Sequence, residues 1–342
     1  MIESRISVPL APHGGRFAID SAGREVHDFS VCLNAFGPAA CVREAVRSAR
    51  LDEYPDPESR IAREAASAAW NCPVDEIALG AGAAELIDAV CRAFLSPRTV
   101  VAIERPAFGE YERSARLCGA WIANELESKA RLVFVCSPSS PLGHVRDRAE
   151  LLAIADRCAS RGALLVLDQA YDAFTANPIG APAFPSHSAV LHLRSLTKEH
   201  ALAGVRVAFA VGPANVIRAI NAVRVPWSAS SLIQAAALAT FTPEARSHAS
   251  ATIATLRSEA LRLRQTFARL GYETSESSTH FFLVRVSNAP RAQRLLLERE
   301  SILVRDCTSF GLPDHIRVVA RTPSENDLLI DAFYRLSVLL RP

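Results

Sequence analysis

Short apolar runs alternate with helical patterns through the middle of the chain. The runs include "EIALG", "TVVAIE", "RLVFVCSP", "ALLVLDQA", "SAVLHLRS" and "GVRVAFAVG". Several are apolar on both faces, as expected of strands buried in a parallel sheet. Between them, the segment "RAELLAIADRCASRG" has helical spacing and a stop signal at Gly162. The pattern predicts an α/β fold, with a mostly parallel central sheet covered by helices, over residues 38–245.

The pattern changes towards the C-terminus. The segment "PEARSHASATIATLRSEALRLRQTFARLG" predicts one long helix, and three short strands follow in "HFFLVRV", "ILVRDC" and "HIRVVAR". A last helix is predicted near "SENDLLIDAFYRLSVLL". We therefore expect a small α+β domain over residues 246–342, which the N-terminal segment, residues 1–37, joins as an arm.

Composition and charge exclude several classes of function. The chain has 38 basic and 36 acidic residues, a net charge of +2, and no basic block, which argues against a nucleic-acid partner. No apolar run approaches the ~20 residues that span a bilayer, and the N-terminus lacks a signal-peptide core. The eight cysteines show no CxxC or zinc-like spacing. We expect buried free thiols, no metal site and a reduced, cytoplasmic enzyme.

The stretch "LRSLTKEHALAGVRVA", residues 193–208, contains the clearest candidate chemistry. It places Lys198 just after a predicted strand, at the sheet edge where doubly wound folds bind ligands. Ser195 and Thr197 supply hydroxyl groups, Gly204 permits close backbone approach, and Arg206 supplies a guanidinium that can hold phosphate. A lysine that can form a Schiff base beside a phosphate-binding group is what pyridoxal phosphate requires.

Other segments supply what this cofactor also needs. "GAGAAEL", residues 80–86, predicts a helix N-terminus whose backbone N–H groups can bind the phosphate. Asp168 ends the strand "ALLVLD", where a carboxylate can keep the pyridine nitrogen protonated. Tyr171 follows three residues later, within reach of the phenolic oxygen. Phe108, after the strand "TVVAIE", can cover the face of the ring.

With these motifs, the chain resembles fold-type I pyridoxal-phosphate enzymes of the aminotransferase class I/II superfamily. Within the superfamily it is similar to threonine-phosphate decarboxylases and to histidinol-phosphate aminotransferases. The resemblance implies a PLP-dependent transferase-like fold and a catalytic role for Lys198, Asp168 and Tyr171. It implies that the cofactor is bound by Ala83, Ala84, Phe108, Ser140, Asp168, Tyr171, Ser195, Thr197, Lys198 and Arg206. The match of "LDEYPDPES" implies that Tyr54 reaches the partner's site in a homodimer.

Two positions depart from the family pattern. Ser140, in "PSSPLG", stands where the family has an asparagine that hydrogen-bonds the phenolic oxygen. Gln169, in "DQAYDAF", stands where the family has a glutamate. Because a serine side chain is shorter than asparagine, the first change puts the electronic tuning of the cofactor in question.

The resemblance also implies a small amino-acid substrate. Arg317, in "HIRVVAR", matches the arginine that binds the substrate carboxylate, and Arg305 resembles a ligand of substrate phosphate. Asn34 matches an asparagine near the substrate, and His13, in "PHGG", resembles a residue of the decarboxylases. We therefore expect decarboxylation of a phosphorylated amino acid first and transamination as the alternative. The two reactions differ in which Cα bond lies perpendicular to the cofactor ring, which the sequence leaves open.

Two other classes of protein compete with this interpretation. "IALGAGAAEL" resembles the turn of a Rossmann dehydrogenase, with Glu104 lying 22 residues after Gly82 (104 − 82). Glu85, however, replaces the third glycine of that motif, and the lysine motif would have no purpose. The other alternative is a binding or regulatory protein that has kept the fold without the activity.

Overall fold

A computed structural model describes residues 8–15, 23–124, 129–180, 183–184 and 187–341 of the chain. In chain order, its strands are β1 (His27–Asp28), β2 (Ile77–Gly80), β3 (Val100–Ile103), β4 (Trp121–Ala123), β5 (Ala130–Cys136), β6 (Leu164–Asp168), β7 (Val190–Arg194), β8 (Ala208–Val211), β9 (Phe281–Arg285), β10 (Ile302–Leu303), β11 (Arg305–Asp306) and β12 (His315–Val319).

The helices of the described residues follow the same order. They are α1 (Ala40–Arg47), α2 (Arg60–Trp70), α3 (Ala83–Phe94), α4 (Gly109–Leu117), α5 (Arg148–Ser160), α6 (Leu196–Glu199), α7 (Ala214–Val223), α8 (Ser231–Thr240), α9 (Pro243–Arg269), α10 (Ala289–Glu300), α11 (Pro323–Arg335) and α12 (Ser337–Leu340).

Seven strands form the large sheet, in the order β2-β8-β7-β6-β5-β3-β4. Pairing is parallel from β4 to β7, and β8 runs antiparallel to both of its neighbours, β7 and β2. The predicted mostly parallel α/β sheet is therefore confirmed. The edge strand β4 was not predicted, because three residues give too short a pattern.

Helices cover both faces of this sheet. One face packs against α3, α4 and α7 through a cluster that includes Leu86, Tyr111 and Ile217. The other face packs against α5 and, nearer β2 and β8, against α1, α2 and α8. The predicted helix at "RAELLAIADRCASRG" is α5, which begins with a capping box between Asp147 and Glu150.

A smaller sheet follows in the chain. Strands β11, β12 and β9 pair antiparallel in that order, and they pack with α9, α10 and α11 around a second core. The predicted strand "ILVRDC" is divided in two at Val304. Its first half, β10, pairs parallel with β1 from the N-terminal segment, and its second half, β11, pairs with β12. This pairing supports the expected association of the arm with the small domain.

Helix α9 runs from the large sheet towards the small one. Thr242 caps its N-terminus by accepting a hydrogen bond from Ala245 N. The predicted boundary between residues 245 and 246 therefore lies inside the first turn of α9, and the division into three parts remains a prediction.

Candidate active site

Lys198 lies on α6, a single turn of helix that follows the carboxyl end of β7. Its side chain lines a cavity of about 530 Å³. Eight other predicted site residues line the same cavity, and these are His13, Ala84, Phe108, Ser140, Tyr171, Arg206, Arg305 and Arg317. The structure thus brings together segments from both ends of the chain around one amine.

The environment of Lys198 favours its neutral form. Burial lowers the pKa of the amine, and the charges of Arg206 and Arg317 act in the same direction, opposed by Cys32 and Asp168. An unprotonated amine is the form that attacks a carbonyl carbon. The environment therefore shifts Lys198 towards the form that the predicted Schiff-base role requires.

Asp168 ends β6, the strand next to β7, and is only 5% exposed. Its Oδ2 accepts a hydrogen bond of 2.6 Å from the Tyr111 hydroxyl, and its Oδ1 accepts one of 2.9 Å from Ala170 N. Burial raises the pKa of Asp168, while these two hydrogen bonds and the charges of Lys198 and Arg194 lower it. Both carboxylate oxygens are thus oriented by fixed donors.

Tyr111 is a site residue that the sequence analysis missed. Its ring stacks on Phe134 at 4.8 Å and meets Phe108 edge-on at 5.7 Å. The available signal was the i, i+3 spacing of Phe108 and Tyr111 at the start of an amphipathic helix, which places both on one face.

We expect Tyr111→Phe to weaken the support of Asp168. The change leaves a buried carboxylate oxygen without its donor, which costs about 1–3 kcal/mol of folding free energy. Because the hydroxyl lowers the pKa of Asp168, its loss raises that pKa, and the acid limb of the pH–rate profile moves to higher pH. Denaturant unfolding and the pH–rate profile measure the two effects.

The matched control is Tyr272→Phe. Tyr272 is also buried and donates to Phe333 O at 3.2 Å, but it packs in the core of the smaller sheet. It should lose stability without moving the pH–rate profile. A Tyr111→Phe profile that coincides with that of the wild type contradicts the assignment.

The predicted phosphate site lies where α3 begins. Gly82 is the N-cap, with φ of 86°, and no side chain caps the first N–H groups, which include those of Ala83 and Ala84. A Cβ on Gly82 would lie 2.9 Å from Arg206 Nη2, so only glycine permits this approach of the guanidinium. Uncapped N–H groups beside a guanidinium, with Ser195 just before α6, fit a phosphate dianion.

Thr197 does not fit the phosphate role that was predicted for it. Its hydroxyl donates to Val207 O and accepts from Val207 N, both at 2.9 Å, and the residue is 1% exposed. The side chain joins α6 to the start of β8 instead. Spacing along the motif could not distinguish Thr197 from Ser195, because both hydroxyls flank the same turn.

Asn34 is likewise engaged away from the cavity. Its Nδ2 donates to Glu199 O at 2.9 Å and to Thr252 Oγ1 at 2.7 Å, and its backbone N donates to Lys198 O at 3.0 Å. Asn34 is not among the lining residues. It anchors the α6 turn, so the predicted contact with substrate is not supported.

Arg317 and Arg305 occupy paired positions on β12 and β11. Arg317 is 7% exposed, and it donates from Nη1 to Ser140 Oγ at 2.9 Å and from Nη2 to Ser30 O at 2.7 Å. Arg305 donates from Nη2 to Pro12 O at 2.8 Å and to Ser309 Oγ at 2.9 Å. Two guanidinium groups on one sheet therefore face the cavity of Lys198.

The two departures from the family pattern have different surroundings. Ser140 accepts from Arg317, which leaves its own proton to donate, and it lines the cavity together with Tyr171. Gln169 bonds to His192 Nδ1 and to Gly180 O, both at 2.9 Å, outside the cavity. Burial lowers the pKa of His192 to about 3, so a neutral amide is a suitable partner for this neutral ring.

His13 lines the cavity but its side chain pairs with a carboxylate, whereas Tyr54 lies away from the cavity of its own chain. His13 Nε2 lies 2.8 Å from Glu110 Oε1, and a carboxylate at this distance opposes binding of substrate phosphate by His13. Tyr54 is 83% exposed, packs on Trp227 at 5.0 Å and does not line the cavity of its own chain. Its contact with a partner's site stays a prediction.

The eight cysteines all lie in the described residues and are free, as expected. Across those same residues, no group of His, Cys, Asp and Glu side chains is arranged to hold a metal ion. None of the helices in the described ranges has the length and apolarity to cross a membrane.

Together, the large sheet, a buried lysine after β7, a buried acid after β6 and an uncapped helix N-terminus define the fold and site of pyridoxal-phosphate-dependent transferases. The chain belongs to the aminotransferase class I and II family, whose sequence profile matches residues 25–333. It is an enzyme of this class, and its cofactor is pyridoxal 5'-phosphate.

Individual relatives agree with this assignment. The chain is 31% identical to histidinol-phosphate aminotransferase of Symbiobacterium thermophilum over 317 residues, 87% of each chain. It is 29% identical to the same enzyme of Bacillus subtilis (strain 168), over 87% of this chain and 88% of the relative.

Solved structures show the same fold. Histidinol-phosphate aminotransferase of Sinorhizobium meliloti, solved with pyridoxal-5'-phosphate, superposes with a TM-score of 0.83 at 21% identity, covering 92% of this chain and 91% of that one. L-threonine-O-3-phosphate decarboxylase of Porphyromonas gingivalis gives a TM-score of 0.80 at 22% identity, covering 92% and 100%.

The Rossmann alternative is wrong. The strand before the "GAGAAE" turn, β2, lies at the sheet edge and runs antiparallel to its neighbour β8, whereas a Rossmann turn joins parallel strands. Glu104, the expected ribose ligand, forms an ion pair with Arg146. Membership of the aminotransferase family accounts for the lysine motif that this alternative left without a purpose.

Proposed function

We propose that this enzyme is an aminotransferase that acts on a small phosphorylated amine or amino acid, with histidinol phosphate as the first candidate. The observation that carries the proposal is the pair Arg305 and Arg317, which line the cavity of Lys198 from neighbouring strands. Two guanidinium groups suit a donor with a phosphate group and an acceptor with carboxylates. The names of the relatives support the same substrate class.

This proposal reverses the order of the two reactions expected from the sequence. The relatives above that exceed 25% identity are aminotransferases, and the decarboxylase shows a shared fold alone. One observation still favours decarboxylation as a second candidate. His13 and Gly14 of the "PHGG" segment line the cavity, as the similarity of that segment to the decarboxylases would require.

When bound, the cofactor withdraws electrons from the substrate Cα. The chain's own residues have distinct tasks around it. The Lys198 amine would hold the cofactor covalently and would act as the base that accepts and returns the Cα proton of the substrate. Asp168, held by Tyr111 and Ala170 N, would keep the pyridine nitrogen protonated. Arg317, fixed by Ser140 and Ser30 O, orients the substrate so that the Cα–H bond faces Lys198.

We further propose that the enzyme is a cytoplasmic homodimer with shared active sites. The support is the exposed apolar surface around Tyr54, in which Leu51 is 79%, Val225 67% and Trp227 47% exposed. Light scattering after size-exclusion chromatography tests this state directly, and a monomer at micromolar concentration contradicts it.

One assay distinguishes the two reactions. The purified enzyme is offered histidinol phosphate, O-phosphothreonine or O-phosphoserine, with and without 2-oxoglutarate. We expect glutamate to form only with histidinol phosphate and 2-oxoglutarate together, because transamination needs an acceptor. Release of carbon dioxide from O-phosphothreonine without an acceptor, seen by mass spectrometry, would establish the decarboxylase instead.

A further inference from the structure

Glu110 is the one acidic side chain among the cavity-lining residues of the described ranges. It lies in the first turn of α4, and its side chain is 13% exposed. The other titratable or charged lining residues are His13, Tyr171, Cys32, Lys198, Arg206, Arg305 and Arg317. A carboxylate repels the anions for which this cavity is suited, and the proposed function gives it no task. A carboxylate at this position suits a cationic group or an N–H donor instead.

Two side chains contact the Glu110 carboxylate. His13 Nε2 lies 2.8 Å from Glu110 Oε1, and the His13 ring lies 5.6 Å from the ring of Phe108, tilted by 42°. Arg113 Nη1 lies 3.6 Å from Glu110 Oε2 and orients the carboxylate from the next turn of α4. An imidazole is thus bound by a carboxylate and an aromatic ring inside the cavity.

The His13 ring reaches this position from the outer side. Its side chain is 46% exposed, compared with 13% for Glu110. The neighbouring arm residues have anchors of their own, since Pro12 O accepts from Arg305 and Gly15 N donates to Ser30 Oγ at 3.0 Å. The His13 side chain can therefore leave Glu110 by rotation about its own bonds while the backbone of the arm stays in place.

We propose that Glu110 is a specificity residue that binds the ring N–H of a nitrogen heterocycle on the substrate, and that His13 occupies this subsite until substrate displaces it. The proposal rests on the proposed function and narrows it to phosphorylated amines that carry an imidazole-type ring. A hydrogen bond from a ring N–H to a carboxylate corresponds to about a 10- to 100-fold preference over a ring that lacks the donor.

Kinetics of Glu110→Gln and His13→Ala with histidinol phosphate and 2-oxoglutarate test the proposal. We expect Glu110→Gln to raise the KM for histidinol phosphate about tenfold or more, with the KM for 2-oxoglutarate unchanged. We expect His13→Ala to lower the KM for histidinol phosphate, because a tethered competitor is removed. The matched control is Glu112→Gln, on the same helix turn but paired with Arg105 and Arg116 outside the cavity. It should keep wild-type values.

Two outcomes would overturn the proposal. If Glu110 only holds the arm in place, both variants raise the KM for both substrates alike. If Glu110 does not contact the heterocyclic ring of the substrate, Glu110→Gln has the wild-type KM for histidinol phosphate. Thermal unfolding of each variant shows whether the fold has been kept.

A separate experiment tests the subsite if the proposed function itself is wrong. If the wild-type enzyme does not convert histidinol phosphate, the subsite is judged by spectral titration with histamine and phenethylamine, which share an ethylamine chain and differ in the ring N–H. Tighter binding of histamine, weakened in Glu110→Gln because an amide oxygen is a weaker acceptor than a carboxylate, supports the subsite. Equal binding of the two amines overturns it.

Discussion

Replacing Lys198 by alanine is expected to lower turnover by at least about 10³-fold. The substitution removes the one amine to which we assign two tasks, as the group that binds the cofactor carbonyl and as the base that moves the Cα proton. Burial lowers the pKa of Lys198, which favours the unprotonated amine that both tasks require. Single-turnover kinetics with saturating cofactor measure the loss without interference from weak binding.

The chain offers an unusually clean control for this experiment. It contains two lysines, Lys129 and Lys198, and Lys129 is exposed. Lys129→Ala should keep wild-type activity. Borohydride reduction followed by peptide mass spectrometry should place the cofactor on Lys198. Labelling of Lys129, or activity of Lys198→Ala within tenfold of the wild type, would refute the assignment.

The alanine variant should remain folded. Lys198 helps to hold the α6 turn through its backbone and not its side chain. Its carbonyl oxygen accepts a hydrogen bond from Asn34 N at 3.0 Å, which the substitution leaves in place. Circular dichroism and the unfolding midpoint should therefore match those of the wild type, so that lost activity reports lost chemistry.

The sequence predicted the parts of the site that depend on local pattern. Strand ends are visible as the limits of apolar runs, and Asp168 and Lys198 follow directly from the ends of β6 and β7. Parallel strands carry such residues to one edge of the sheet, so their proximity follows from topology alone. The lysine motif and the turn before α3 needed no knowledge of tertiary contacts.

Contacts between distant segments could not be predicted in this way. His13 contacts Glu110, which is 97 residues away in the sequence, and Arg317 contacts Ser140, which is 177 residues away. Both pairs depend on how the arm and the small sheet fold against the large one, which periodicity does not encode. The phosphate role predicted for Thr197 is not supported for a different reason, because its hydroxyl bonds to the backbone of Val207, ten residues further along the chain and just before β8, and the motif spacing does not reveal this contact.

Asp168→Asn is expected to lower turnover on the order of 10²–10³-fold, the scale seen when one preorganised electrostatic group is lost. This change removes the charge of Asp168 while keeping the shape and the hydrogen bonds of the side chain. The amide oxygen can still accept from Ala170 N, and the amide NH₂ can donate to the Tyr111 hydroxyl, which is able to accept as well as donate. Removal of a desolvated carboxylate should leave the stability of the cofactor-free protein unchanged or raised.

The control for charge is Asp168→Glu, which keeps the carboxylate on a side chain longer by one methylene. It should regain part of the lost turnover although it fits the buried site less well, because the group that holds the pyridine proton is restored. Turnover at saturating cofactor, cofactor occupancy by absorbance and denaturant unfolding are compared for both variants. If Asp168→Asn stays within tenfold of the wild type at full occupancy, the carboxylate at the end of β6 does not have the electronic role assigned to it. If Asp168→Glu is no more active than Asp168→Asn although both bind cofactor fully, shape at this position matters more than charge.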